Sequence, residues 1–331
     1  MATKATTNAA TTLTRRGFLG TIGAGLAVSE FASLSAQGQA PAPNPARDAA
    51  NVDRDVVYGK GGDVDLHADI FRPTGASKRM AVLHFHGGGF AGGNKNGLAA
   101  RLQSMSALGY TNLAVQYRLS GAARWPAQIE DVKAAVRWTR ANAAKLGIDP
   151  ARIALAGYSA GAHLALFANG TQNQAQYEGS GGNAGAGTQL TACIAYYPVT
   201  GPAWEGFRKA FPLTAGSSEE AWKQVEPGTH VKGFAPTILH HGLADTTVPP
   251  ESSQEFLKVL RGAGIPSELH EFAGVPHGFD AVQEFADATA RLNDLFLDRF
   301  VVNPRPYPSG RGGGGGEGGR GAGEGRGGRG Q

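Results

Sequence analysis

Three residues of the types that acyl transfer needs occur in a workable order along the chain. Ser159 sits in Gly157-Tyr158-Ser159-Ala160-Gly161, Asp245 in His241-Gly242-Leu243-Ala244-Asp245, and His277 in Val275-Pro276-His277-Gly278. A serine hydroxyl is a weak nucleophile until a base takes its proton, and that base needs an orienting carboxylate. The apolar run before Tyr158 reads as a buried strand, and the run after Ser159 reads as a helix, so the serine falls on a sharp turn between them. Gly157 and Gly161 remove side chains that would collide at such a turn. The helix start directs unsatisfied backbone N–H groups toward the place where negative charge would develop. His86-Gly87-Gly88-Gly89, in the loop after an early strand, can add donors to the N–H of Ala160 and complete an oxyanion hole.

The remaining chemistry-bearing residues have plainer readings. His84 and His86 are at strand spacing and could share a face and a metal, but no carboxylate stands at ligand spacing, so His86 reads as an organiser of its loop. His163 on the elbow helix reads as a packed neighbour of the nucleophile, and His240 and His241 belong to the acid turn. Glu130 and Asp131, near a helix start, serve the helix dipole and local ion pairs. Asp280 is a rival orienter for His277, although a position at the start of a helix accounts for it more simply. Cys193 is the single cysteine, so no intrachain disulfide or cysteine metal site is available, and its apolar surroundings make it a small buried hydrophobe. This chemistry calls for no metal and no cofactor.

The elements that must position these groups follow an α/β rhythm. Residues 55–58 and 64–71 read as an antiparallel opening pair around a glycine turn. From Met80 onward, buried strands (80–86, 111–117, 153–158, 190–197, 235–241 and 267–272) alternate with helices (98–108, 126–146, the elbow helix to about Gly170, 252–261 and 279–300). That alternation predicts a mostly parallel central sheet with helices on both faces. Ser159, Asp245 and His277 each fall just past the carboxyl end of a strand, where active groups gather in such sheets. Residues 171–189 are polar and rich in glycine, and read as a mobile surface loop. Residues 199–234, with Trp204, Phe207, Phe211 and Trp222, read either as a short cap near the pocket or as aromatics packing a long connection onto the sheet.

At 331 residues and 41% hydrophobic content, the chain suits one large α/β domain or two small ones. Its formal charge of +4 lies at the ends, because residues 1–40 and 309–331 each carry a small basic excess and the centre is neutral. A nucleic-acid partner is therefore not indicated. Thr14-Arg15-Arg16-Gly17-Phe18-Leu19, a weakly apolar stretch and a small-residue region follow one another in the order of a twin-arginine export signal over residues 1–40. The apolar stretch is too short and glycine-rich for a membrane span. Residues 41–50 read as a proline-stiffened linker, 51–302 as the catalytic domain, and 303–331 as a disordered Gly/Arg-rich tail.

Together, His86-Gly87-Gly88-Gly89-Phe90, Tyr117-Arg118-Leu119-Ser120, Pro126-Ala127-Gln128-Ile129-Glu130-Asp131, Gly147-Ile148-Asp149-Pro150 and the Ser159 pentapeptide resemble the α/β-hydrolase superfamily. The likeness is greatest to its esterase branch, which includes hormone-sensitive-lipase-type and feruloyl- or acetyl-esterase-like enzymes, and it covers roughly residues 50–300. It implies Ser159 as nucleophile, His277 as base, Asp245 as its orienter, and Gly88, Gly89 and Ala160 as oxyanion donors acting on a small-molecule ester. The acid turn is closer to feruloyl-esterase-like and peptidase-related hydrolases than to the lipase-type pattern, and a long helical N-terminal cap is missing. Both departures argue against lipid or long-chain substrates. Two rivals share the scaffold. A prolyl-oligopeptidase-type serine peptidase would bring a propeller, for which too few residues precede Met80, and a non-catalytic binding protein would not need a complete set of Ser159, Asp245 and His277. Export through the twin-arginine machinery to a periplasm or beyond is the expected location. A reporter fused after residue 45 is expected to leave the cytoplasm, and cytoplasmic retention, followed by cell fractionation, would remove that expectation.

Overall fold

The computed structural model describes residues 51–201, 205–213 and 216–306. The export signal, the linker, Trp204, the Phe207 side chain and the tail from residue 307 onward lie outside the described residues. Eight strands form one sheet: β1 (Val52–Gly61), β2 (Val64–Phe71), β3 (Ala81–Phe85), β4 (Thr111–Val115), β5 (Ile153–Tyr158), β6 (Ala192–Tyr196), β7 (Thr237–Gly242) and β8 (Ser267–Phe272). Their spatial order is β1-β2-β4-β3-β5-β6-β7-β8. β1 and β2 pair antiparallel, β2 runs antiparallel to β4, and every later pairing is parallel. This is the α/β-hydrolase fold, with the expected antiparallel opening.

The longer connections are helices: α1 (Ala99–Ala107), α2 (Ala127–Ala141), α3 (Ala143–Leu146), α4 (Ala160–Gly170), α5 (Glu205–Ala210), α6 (Glu219–Gln224), α7 (Glu251–Gly262) and α8 (Gln283–Leu297). Ile129, Val132 and Val136 of α2, Leu164 and Phe167 of α4, and Phe256 and Leu260 of α7 cover one face of the sheet. Leu102 and Met105 of α1, with Ala290, Phe296 and Leu297 of α8, cover the other. The central strands therefore bury residues in both directions, which explains their unbroken apolar runs. In β5, Ile153 and Leu155 face the first layer, whereas Ala154, Ala156 and Tyr158 face the second.

Two expectations are refined. The helix expected over 126–146 ends its first part at Ala141 and resumes at Ala143. Residues 171–189, expected as a mobile loop, are fastened to α2. The Lys133 ammonium donates to the Thr171 carbonyl, and Arg137 holds Glu178 through its carboxylate at 2.8 Å and its carbonyl at 2.7 Å. Thr188 closes the cluster by donating to Glu178 at 2.6 Å. Polar composition alone cannot reveal such fastening, because the partners are charges on the buried side of a helix more than thirty residues earlier.

The second layer also stacks a row of rings across neighbouring strands. Tyr158 stacks on Tyr196 with centroids 4.8 Å apart, Tyr196 on His240 at 4.7 Å, and His240 on His270 at 5.5 Å. Asn293 of α8 clamps the row, donating to the Tyr196 hydroxyl at 2.8 Å and lying 2.8 Å from Nε2 of His240. Burial pushes His84 and His163 down to about 4 and His240 down to about 3. In the unfolded chain these imidazoles take up protons near pH 6.5, which the folded protein refuses. Their contribution to stability is complete above about pH 6.5 and is lost as the pH falls toward the folded values. Thermal midpoints are expected to drop steadily between pH 6.5 and 4, with a shallower slope in a His84→Gln variant; parallel profiles for the two proteins would contradict this.

Candidate active site

Ser159 joins β5 to α4 with φ 55° and ψ −117°, a costly conformation for a residue with a Cβ. Its N–H donates to the Tyr196 carbonyl at 3.0 Å, and its own carbonyl accepts from Ala162 and His163 at 2.9 and 3.1 Å. The turn is tight because glycines permit it. A Cβ on Gly161 would lie 2.0 Å from the Phe85 carbonyl oxygen, and one on Gly157 would lie 2.2 Å from that of Gly161. Gly87, which the sequence pattern did not single out among its neighbours, is the glycine in contact with the elbow: a Cβ there would lie 3.1 Å from that of Ser159. Gly88 and Gly89 follow in the same loop with φ of 118° and 59°, and Ala160 opens α4. The structure thus brings together, around the Ser159 turn, the loop and the helix start from which oxyanion donors were expected.

His86 organises that loop as expected. Its Nδ1 lies 2.8 Å from the Gly87 carbonyl, and its ring stacks on Tyr117 at 4.4 Å. The Tyr117 hydroxyl donates to the His86 carbonyl at 2.9 Å. The expected shared face of His84 and His86 does not occur. His84 turns into the second layer, 3.1 Å from the Tyr158 hydroxyl and 3.0 Å from Asn112, whereas His86 meets Tyr117 of the first layer. The reason is that β3 ends at Phe85, so strand alternation no longer governs residue 86.

Asp245 and His277 meet where β7 and β8 end. Nδ1 of His277 lies 2.6 Å from Oδ2 of Asp245. The other carboxylate oxygen accepts from the backbone N–H groups of Thr247 and Val248 at 2.8 and 2.9 Å. Burial by itself would raise this carboxyl, but hydrogen bonds from His241 and His277 outweigh it and hold Asp245 well below the usual carboxylate range. An ionised carboxylate only accepts, so Nδ1 of His277 carries the proton and Nε2 keeps its lone pair. The His277 ring also lies against Tyr197, centroids 4.3 Å apart, and Tyr197 directly follows β6. β6 lies between β5, which ends at the Ser159 turn, and β7, which leads to Asp245, and the imidazole packs on Tyr197 just past the end of that intervening strand.

Asp280, the rival orienter, points elsewhere: its carboxylate accepts from the Tyr197 hydroxyl and from Nε of Arg101. His163 is fully buried, with Nδ1 2.8 Å from the Val199 carbonyl and Phe90 packed edge-on against it. Asp131 makes the local ion pair expected of it, with both oxygens on Arg118.

His241 has a larger part than the sequence suggested. It is fully buried, its Nε2 lies 3.0 Å from the Val248 carbonyl and 3.3 Å from Oδ2 of Asp245, and its Nδ1 lies 2.7 Å from the Ser253 hydroxyl. A carbonyl only accepts, so Nε2 carries the proton and can steady the same carboxylate oxygen that holds His277. Its place in an apolar strand was the available signal, since a fully buried imidazole needs partners. His241→Leu is expected to cost about 1–3 kcal/mol by orphaning these groups. Urea unfolding will measure it, and an unchanged midpoint would show that the acid turn stands without His241.

Comparisons with known proteins agree with this geometry. The profile of the BD-FAE family matches residues 68–260. The chain is 32% identical to the probable carboxylic ester hydrolase LipM of Mycobacterium tuberculosis over 80% of this chain and 65% of that one. It is 31% identical to esterase LipC of the same organism over 74% of this chain and 64% of that one. It therefore spans just under two thirds of the length of these curated relatives. Thermogutta terrifontis esterase 2, solved after phosphoramylation by tabun, superposes with a TM-score of 0.67 at 30% identity, covering 78% of this chain and 98% of that one. Its butyrate-bound form superposes with a TM-score of 0.65 at 28% identity, covering 78% and 97%. Fold, serine elbow and family profile agree, and the chain belongs to the BD-FAE family, within the esterase branch of the α/β-hydrolases.

Proposed function

We propose that the protein is a serine carboxylesterase that works through an acyl-enzyme. The observation that carries this reading is the His277–Asp245 pair at the strand ends beside the strained Ser159 elbow. Nε2 of His277 takes the Ser159 proton as Oγ attacks the ester carbonyl carbon. The N–H of Ala160, with those of Gly88 and Gly89, stabilises the oxyanion of the tetrahedral intermediate. Collapse expels the alcohol, which leaves with the proton from His277. Water then gives its proton to His277 and attacks the acyl carbon, and the acid departs as Ser159 is restored.

The proposed substrates are short-chain esters, or carbohydrate-linked or aromatic ones. In support, the structural relative from Thermogutta terrifontis was solved with butyrate and with propionate bound. The site is proposed to act outside the cytoplasm, on the strength of the export-type N-terminus. Ser159→Ala is expected to lower turnover of p-nitrophenyl acetate by at least ~10³-fold with the thermal midpoint retained. Paraoxon is expected to add one diethylphosphoryl group to the wild type and none to the variant, as read by mass spectrometry. Retained turnover in Ser159→Ala, or labelling at another residue, would overturn the assignment. A panel of acetyl, butyryl, long-chain, feruloyl and sugar esters ranks the substrates.

A further inference from the structure

Ser159 is not the only strained residue at this rim. Tyr197, one residue past the end of β6, has φ 37°, a region where a bulky side chain is an outlier. The two strained positions are neighbours: β5 and β6 pair Tyr158 with Tyr196, and the residue after each of these takes the positive φ. The Tyr197 N–H donates to the His240 carbonyl at 2.7 Å, which holds the strained residue in place. Outliers held against their own preference cluster where a side chain must be aimed.

The aim is visible in what the Tyr197 side chain touches. Its ring lies 4.3 Å from the His277 ring and 6.5 Å from that of His241, so it faces both imidazoles that serve Asp245. Its hydroxyl donates to Oδ1 of Asp280, three residues beyond His277, while Oδ2 of Asp280 takes Nε of Arg101. Arg101 in turn donates to the Gly97 carbonyl at 2.7 Å and lies 4.7 Å from the centre of the Tyr158 ring, next to the nucleophile. Asp280 is 1% exposed and Tyr197 2%, so this pairing is shielded from water. We propose that Tyr197 is the positioning residue for His277, its ring fixing the imidazole plane and its hydroxyl anchoring the 277–280 turn through Asp280 and Arg101. The hydrogen bond to Asp245 fixes one edge of the imidazole but leaves the ring free to swing about that contact. The Tyr197 ring, packed 4.3 Å away and tilted by 52° to the imidazole, blocks that swing and so holds Nε2 in one direction.

This inference rests on the esterase reading, and two measurements separate their failures. The first is steady-state hydrolysis of p-nitrophenyl acetate. The second, independent of turnover, is the downfield proton resonance of His277 Nδ1–H in its hydrogen bond to Asp245. Absent turnover in the wild type would count against the esterase reading alone, since the resonance still reports the position of His277. Tyr197→Phe keeps the ring and removes the anchor, whereas Tyr197→Leu removes both. Expected losses in kcat are about tenfold and about 100-fold respectively, with KM within about twofold, because misplacing a catalytic group weakens the step rather than binding. In both variants the His277 resonance is expected to shift or broaden. Tyr197→Phe is isosteric and decides the anchor, and Tyr197→Met, which keeps bulk without a flat ring, decides the ring if Tyr197→Leu does not fold. Wild-type kcat and an unmoved resonance in Tyr197→Phe would remove the anchor, and the same result in the variant without a ring would overturn the proposal.

Discussion

The site depends on one buried carboxylate remaining charged. Asp245 is taken out of water, which favours its neutral form, yet four donors converge on it: two backbone amides and the imidazoles of His241 and His277. Because it stays ionised it can only accept, and this dictates which nitrogen of His277 carries the proton. The tautomer of His277 thus follows from the ionisation state of its buried partner. The sheet serves this arrangement by ending β7 and β8 where their loops must meet. A Cβ on Gly242 would lie 2.3 Å from the Val275 carbonyl oxygen, so the acid turn and the histidine turn are in direct backbone contact.

The Ser159 elbow is built on the same principle of close approach. Gly161 lets α4 start against the end of β3, and Gly87 lets the glycine loop lie on the Ser159 turn. Main-chain packing, rather than mobile side chains, therefore sets where the glycine loop and the start of α4 meet, and backbone dipoles fixed in that way need no rearrangement to stabilise developing charge. The strain at Ser159 is sustained by ordinary pairing around it: its N–H is bound to β6 and its carbonyl to the first turn of α4.

Several corrections trace to one limit of pattern reading. His84 and His86 stand two apart, which in a strand means one face, but β3 stops between them and they part to opposite layers. The 171–189 segment has the composition of a free loop, and its attachment depends on Lys133, Arg137 and Glu178, whose meeting no local pattern encodes. Asp280 is as near to His277 in the chain as a rival orienter would be, and yet it turns to Tyr197 and Arg101. Each of these outcomes is a choice among partners that lie far apart in sequence.

What the sequence determined by itself was the order of elements and the residues at their ends. Alternating buried strands and amphipathic helices are set by local periodicity, and the serine elbow, glycine loop, acid turn and histidine turn are short enough to be read as words. Only the tertiary structure decided which carboxylate His277 takes, that His241 shares it, and that Tyr197 lies against the imidazole between β5 and β7. The physical reason is that hydrogen bonds and ring contacts depend on distances of a few ångströms between side chains. Those distances arise from how strands neighbour one another across the sheet, an order that local periodicity does not carry.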